Sequence, residues 1–264
     1  MEEFLSAAKN IAYEAGARMR EGFEQGQDHT FKEDRSPITE TDSAVNALVL
    51  KRLTEAFPTH RLLGEEGGRD IESSYTWVFD PIDGTAPYLR GIPTNVFSLA
   101  LVKDGEPILG VVYDPHMDRL YHATQGNGAF VNETPLKTST RTTLAYAYIA
   151  IEGYRGFKSL DFLEALRAQN THFLTYSSVV YAHMLVASGQ LEGVLFPLHN
   201  PWDAAAAKII VEEAGGITSS GNGSSQRYDE NLAGFVSAAN EGVHAELIEL
   251  MKPTFPLSVN ESLS

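Results

Sequence analysis

An apolar run that ends in two carboxylates constrains this chain more than any other feature. The segment is Trp77-Val78-Phe79-Asp80-Pro81-Ile82-Asp83-Gly84-Thr85, with its two acids three residues apart. Trp77 to Phe79 read as strand, so Asp80 and Asp83 arrive together at one strand end. Pro81 between them stiffens the backbone and removes an N–H. Gly84 permits a tight turn, and Thr85 adds a hydroxyl and a backbone N–H. Carboxylate oxygens beside a backbone carbonyl suit a hard divalent cation such as magnesium. Free N–H groups just after the turn suit a phosphate oxygen. Asp-Pro and Asp-Gly are also ordinary turn dipeptides, so the segment taken alone reads first as a surface turn.

The rest of the chain sets the frame. Its 264 residues, 43% hydrophobic and 21% charged, suit one large domain or two intimately packed halves. No run of 18 apolar residues predicts a membrane span, and the acidic start Met1-Glu2-Glu3-Phe4 predicts no secretory signal. The absence of cysteine excludes disulfides and thiolate metal sites and fits a cytoplasmic protein. A formal charge of −15 argues against nucleic acid or an anionic membrane as partner. The same charge is awkward for an enzyme of phosphates, unless bound cations reverse the field locally.

Periodicity predicts an amphipathic helix over residues 3–24 and a second, capped by Thr41 or Asp42, through Phe57. Strands are predicted at 61–63, 77–80, 96–103, 108–114, 119–124, 129–131, 144–151, 191–196 and 235–239. Asp104-Gly105 marks a hairpin between two of them. Helices are predicted at 157–169, 178–188, 203–214 and 243–251, with Asp203 as the N-cap of the third. Helices, then a long run of strands, then mixed elements favour layered α/β packing over a simple doubly wound sheet.

Two further stretches lift the first segment above a surface turn. Gly64-Glu65-Glu66-Gly67 lies upstream, and Pro201-Trp202-Asp203 followed by Ala204–Ala207 lies downstream. With Asp80 to Thr85, they resemble the inositol monophosphatase family of magnesium-dependent phosphatases, in the family's order and from the first helix to Leu250. The resemblance implies an αβαβα sandwich formed by a single domain, 1–264, of two halves, roughly 1–140 and 141–264. It implies two or three magnesium ions per subunit, a small phosphate ester as substrate and a homodimer. One magnesium would be held by Glu65, Asp80 and the Ile82 carbonyl, the second by Asp80, Asp83 and Asp203. Glu65 and the Thr85 hydroxyl would orient and deprotonate a water, and the N–H groups of Gly84 and Thr85 would hold the phosphate. A weaker match runs from Lys32 through Ser36-Pro37-Ile38-Thr39 to Asp42. There Asp42 would support a third magnesium through water.

The sequence departs from the family where the substrate's alcohol would sit. Ala86-Pro87-Tyr88 follows Thr85 in place of a hydroxyl and amide pair. Phe196 stands where inositol-specific members carry a glutamate that grips ring hydroxyls. Ser177-Ser178 replaces the family's Gly-Ser or Gly-Thr, and Ser178 is expected at the substrate. The implied activity is hydrolysis of a cyclitol, sugar or polyol phosphate. Histidinol phosphate and 3′(2′),5′-bisphosphate nucleotides are alternatives, and a non-catalytic binding protein on the same scaffold is the competing class.

Overall fold

The first half of the chain builds one large sheet and the helices on its outer face. The computed structural model describes residues 1–25, 29–31, 37–197 and 200–252. Helix α1 (Glu2–Gln25) is followed by a small hairpin, β1 (His29–Phe31) with β2 (Pro37–Thr39), and by α2 (Glu40–Ala56). Then come β3 (Arg61–Gly64), β4 (Tyr75–Asp83), the short α3 (Thr85–Leu89), β5 (Val96–Lys103) and β6 (Glu106–Asp114). After them run β7 (Arg119–Thr124), β8 (Ala129–Val131) and β9 (Thr134–Pro135). β3 to β9 form a seven-stranded sheet in sequence order, antiparallel except for the parallel pair β3–β4. α1 and α2 lay their apolar stripes on it, with Ala8, Ala12, Ala15, Met19, Val45, Val49 and Leu53 fully buried against Trp77, Phe79 and Leu99.

The second half adds three layers. Its elements are β10 (Tyr148–Ile151), α4 (Phe162–Ala168), β11 (His172–Leu174), α5 (Val179–Ala187), β12 (Gly193–Phe196), α6 (Ala205–Glu213), β13 (Ile217–Ser219), β14 (Phe235–Ala238) and α7 (Glu241–Met251). The five strands order as β11-β10-β12-β14-β13. α5 and α6 lie between the two sheets. α5 is apolar nearly all round, as a helix must be when both faces are covered. α4 and α7 cover the outer face of the smaller sheet. The result is the expected αβαβα sandwich. Among the described residues no helix is long and apolar enough to cross a membrane.

The pairing explains two sequence features. α6 crosses β6 so closely that a Cβ on Gly110 would lie 2.8 Å from the Ala206 carbonyl oxygen. The alanine run of α6 and the glycine of β6 are therefore one packing solution. Asp104 and Gly105 both have positive φ, 53° and 96°, and make the predicted hairpin turn.

Several boundaries differ from expectation. β4 does not stop at Asp80 but continues through Pro81 to Asp83, with a register shift against β5 at the proline, which has no N–H to give the ladder. The cap of α2 is neither Thr41 nor Asp42. Thr39 is the N-cap, and Asp42 sits three residues in as the reciprocal half of a capping box. Asp203 does not cap α6 either. It ends a 3₁₀ turn, Pro201–Asp203, and the helix starts at Ala205 with no side-chain cap. β10 begins at Tyr148 rather than 144, and α4 covers only part of 157–169. The short strands β1, β2, β11 and β13 carry too little pattern to be read from sequence. Residues 32–36 of the weaker motif lie outside the described residues.

Candidate active site

The predicted acids converge where the two sheets and the central helices meet. Asp80 and Asp83 come from the end of β4, and Asp203 from the turn before α6. One carboxylate oxygen from each lies within 4.8 Å of the other two, and all three residues are buried. Glu65, just beyond β3, donates its N–H to the Phe79 carbonyl (3.3 Å), and its side chain hydrogen-bonds to Asp80. Parallel pairing of β3 with β4 thus carries Glu65 to Asp80. With Ile82, Gly84 and Thr85, these residues line a cavity of about 440 Å³.

The electrostatics call for a cation. Burial holds the Asp80 carboxyl well above the usual carboxylate range, and Glu65, Asp83 and Asp203 push it further the same way. Burial raises Asp83 to about 6, against the Ser178 hydroxyl and the N–H groups of residues 179–181, which favour its anion. Hard oxygen donors at close range, with the Asp80 and Asp83 carboxyls both raised, suit a divalent metal of the magnesium type. Asp80, Asp83, Asp203 and Glu65 are the residues able to hold it.

Asp83 has a second attachment. Its carboxylate accepts the Ser178 hydroxyl and the N–H groups of Val179 (3.1 Å), Val180 (2.9 Å) and Tyr181 (3.4 Å) at the start of α5. A carboxylate there meets unpaired helix N–H groups and the positive end of the dipole. Gly84 permits the approach. Its φ is 93°, and a Cβ would sit 2.9 Å from the Ser178 Cβ.

The other expected site residues divide. The Thr85 hydroxyl lies 3.2 Å from the Ile82 carbonyl oxygen and 3.3 Å from an Asp42 carboxylate oxygen. Asp42 itself is fully buried behind the cavity and accepts the N–H (2.8 Å) and hydroxyl (2.5 Å) of Thr39. Phe196 does line the cavity, from the end of β12. Ser178 does not; its hydroxyl is turned inward onto Asp83. Unexpected lining residues are Glu152, Arg155, Thr175, Ser177 and Asn200. Glu152 had a signal, an acid followed by glycine at a strand end, the same pattern as Asp83-Gly84. Its carboxylate is buried and accepts the N–H groups of Tyr176 (2.7 Å) and Ser177 (3.0 Å). Burial pushes it up to about 7, with Asp83 adding to the rise. A larger cavity, about 590 Å³, lies across Trp202, but its Arg61 and Arg227 are paired with Asp70 and Asp229.

The family model described as the inositol monophosphatase family matches residues 1–253. The chain belongs to the inositol monophosphatase family. Inositol monophosphatase 1 of Solanum lycopersicum is 33% identical over 85% of this chain and 86% of its own. Inositol-1-monophosphatase of Bacillus subtilis is 31% identical over 94% and 96%. Among solved structures, inositol monophosphate-bound inositol monophosphatase-II of Staphylococcus aureus matches with a TM-score of 0.81 at 28% identity, over 96% and 95% of the two chains. This inositol monophosphatase relative is therefore a metal-dependent phosphoric monoester hydrolase, and the non-catalytic reading is set aside.

Proposed function

We propose that the chain hydrolyses the phosphate ester of a small cyclitol, sugar or polyol, using magnesium held by Glu65, Asp80, the Ile82 carbonyl, Asp83 and Asp203. The observation that carries the proposal is the convergence of four acids at one cavity wall beside the Gly84–Thr85 turn. When bound, magnesium supplies the positive charge that activates water and offsets the charge of the transferring phosphoryl group. Glu65 and the Thr85 hydroxyl orient the attacking water, and Glu65 accepts its proton. Thr85 can do this because Asp42 and the Ile82 carbonyl hold its hydroxyl from behind. The N–H groups of Gly84 and Thr85, at the head of α3, receive the phosphate oxygens. The bond from phosphorus to the alcohol oxygen breaks, and a water near Asp203 returns a proton to the departing alkoxide. Asp42 serves as support for Thr85, and a third magnesium would have to reach it from the cavity side, where Thr85 stands between.

The test is phosphate release from inositol phosphates, sugar phosphates, histidinol phosphate and adenosine bisphosphate, with magnesium or with excess chelator. Asp83→Asn should lower turnover by at least ~10³-fold, as expected for a principal ligand of a catalytic metal. Full activity of that variant, or of the chelated protein, would sink the proposal. The Trp202 side chain at the cavity favours the nucleotide and histidinol esters as a second reading, and the same panel decides it. The homodimer carried by the family has support in an exposed apolar edge, where Tyr148, Phe173 and Leu174 are 39–48% accessible. Sedimentation measures it directly.

A further inference from the structure

Ser177 is an outlier at the cavity. Its φ is 54°, in the left-handed region that serine rarely adopts. Among the described residues with such a φ that are not glycine, four are Asp or Asn, which tolerate it, and the others are Tyr146 and Ser177. Of the six, Ser177 alone lines the cavity that holds the acids. A glycine there would adopt the same backbone without strain. Strain retained beside a reacting centre points to a side chain with a task.

The surroundings say which task. Glu152 grips the segment from below, taking the N–H groups of Tyr176 and Ser177 and lying within 3.4 Å of the Thr175 hydroxyl. Asp83 grips the next residues, from the Ser178 hydroxyl to the Tyr181 N–H. Two buried carboxylates thus hold residues 175–181 as a strap against the cavity. The hydroxyls of Thr175 and Ser178 are spent on these acids, whereas the Ser177 hydroxyl is exposed and makes no hydrogen bond to a described residue. It stands where the main cavity joins a side cavity of about 240 Å³, lined by Pro87, Arg90, Ile92 and Thr94, and it borders both. Phe196 belongs to the same main cavity. It ends the strand next to that of Glu152, whose N–H donates to Leu195 (2.9 Å).

We propose that Ser177 is a specificity-determining residue, its hydroxyl hydrogen-bonding the alcohol part of the substrate, and that Glu152 is the positioning residue that holds it there. The substrate class is a phosphate ester whose alcohol carries an apolar face toward Phe196 and a hydroxyl or other hydrogen-bonding group toward the side cavity. This rests on the phosphomonoesterase reading above and adds the group that selects among esters.

The experiment compares a polyol or sugar phosphate, the best of the panel, with p-nitrophenyl phosphate, whose leaving group has no hydroxyl. Ser177→Gly keeps the backbone and removes the hydroxyl. The ratio of kcat/KM values, polyol ester over p-nitrophenyl phosphate, should fall about fivefold, the worth of one neutral hydrogen bond. The loss should appear in KM rather than kcat. Glu152→Gln keeps the shape but loses an acceptor oxygen, and should lower the same ratio in the same direction. A purely structural Glu152 would depress both substrates equally and leave the ratio alone. An unchanged ratio in Ser177→Gly overturns the assignment while leaving the phosphatase standing. Failure of the unmodified protein to hydrolyse any ester would instead remove the reading beneath it.

Discussion

A carboxylate can be a metal ligand, a helix cap or a tether, and in this molecule the surroundings decide which. Asp80, Asp83 and Asp203 were legible because three motifs named them in order. Glu152 carried only the acid-before-glycine pattern at a strand end, and its buried hold on the strap shows its use. Asp42 and Asp203 were each read as caps from local pattern, yet the cap of α2 falls to Thr39 and α6 starts uncapped. Pattern alone does not show that Asp42 answers the Thr39 N–H from inside the helix while its other oxygen takes the Thr85 hydroxyl, or that Asp203 turns to the acid cluster. Phe196 was legible as a substitution and does reach the cavity. Its ring offers no acceptor to a cyclitol hydroxyl. In Phe196→Glu, kcat/KM for inositol 1-phosphate relative to a less polar ester should rise about tenfold, the lower range for a hydrogen bond to a charged group. Steady-state assays on the two esters check it. A ratio that falls, or inositol 1-phosphate as the best substrate of the unmodified protein by a wide margin, would show that Phe196 does not set the preference.

At the level of elements, the long amphipathic α1, the run from β5 to β8 and the Asp104-Gly105 turn were readable because each obeys one strong period or turn rule. α5 was readable as a helix but not by amphipathicity, since burial on both faces erases the stripe. The start of β10 was misread because Leu144 and Ala147 are buried in turn rather than strand, and apolarity alone does not separate the two. The contact between α6 and β6 gives an element-scale expectation. In Gly110→Ala the added methyl meets the Ala206 carbonyl at 2.8 Å and the Ile209 side chain at 2.7 Å, so helix and sheet must part. Overpacking of this kind costs about 1–3 kcal/mol. Urea denaturation reads the loss, and an unchanged midpoint would mean that the helix yields freely.

For the whole molecule, layer order was legible from the succession of helices and strands together with the family resemblance, while the short edge strands that complete each sheet were not. The formal charge of −15 becomes intelligible once several of the acids are seen to face one another. Asp83 and Glu152 are raised to about 6 and about 7 in the folded chain, above their ordinary values of 3.8 and 4.5. Without metal, the stability they contribute is complete below those ordinary values and is lost as pH rises through 6 and 7. His183, fully buried and lowered to about 3, acts in the opposite sense, but its influence is over once pH exceeds 6.5. The chelated protein should therefore melt at a lower temperature at pH 8 than at pH 6.5. Magnesium should raise the melting temperature more at pH 8, because it binds the ionised acids. Thermal scans with and without chelator test this, and a magnesium shift independent of pH would contradict it. The grip of Asp83 on the start of α5 also bears on how the protein is made. Asp83 leaves the ribosome long before the helix it holds, and Asp203 emerges later still. A nascent chain carrying only the first sheet has neither the helix that orders Asp83 nor the acid that completes the cluster. Assembly of the acid cluster therefore waits until the late-made layers have settled onto the early ones.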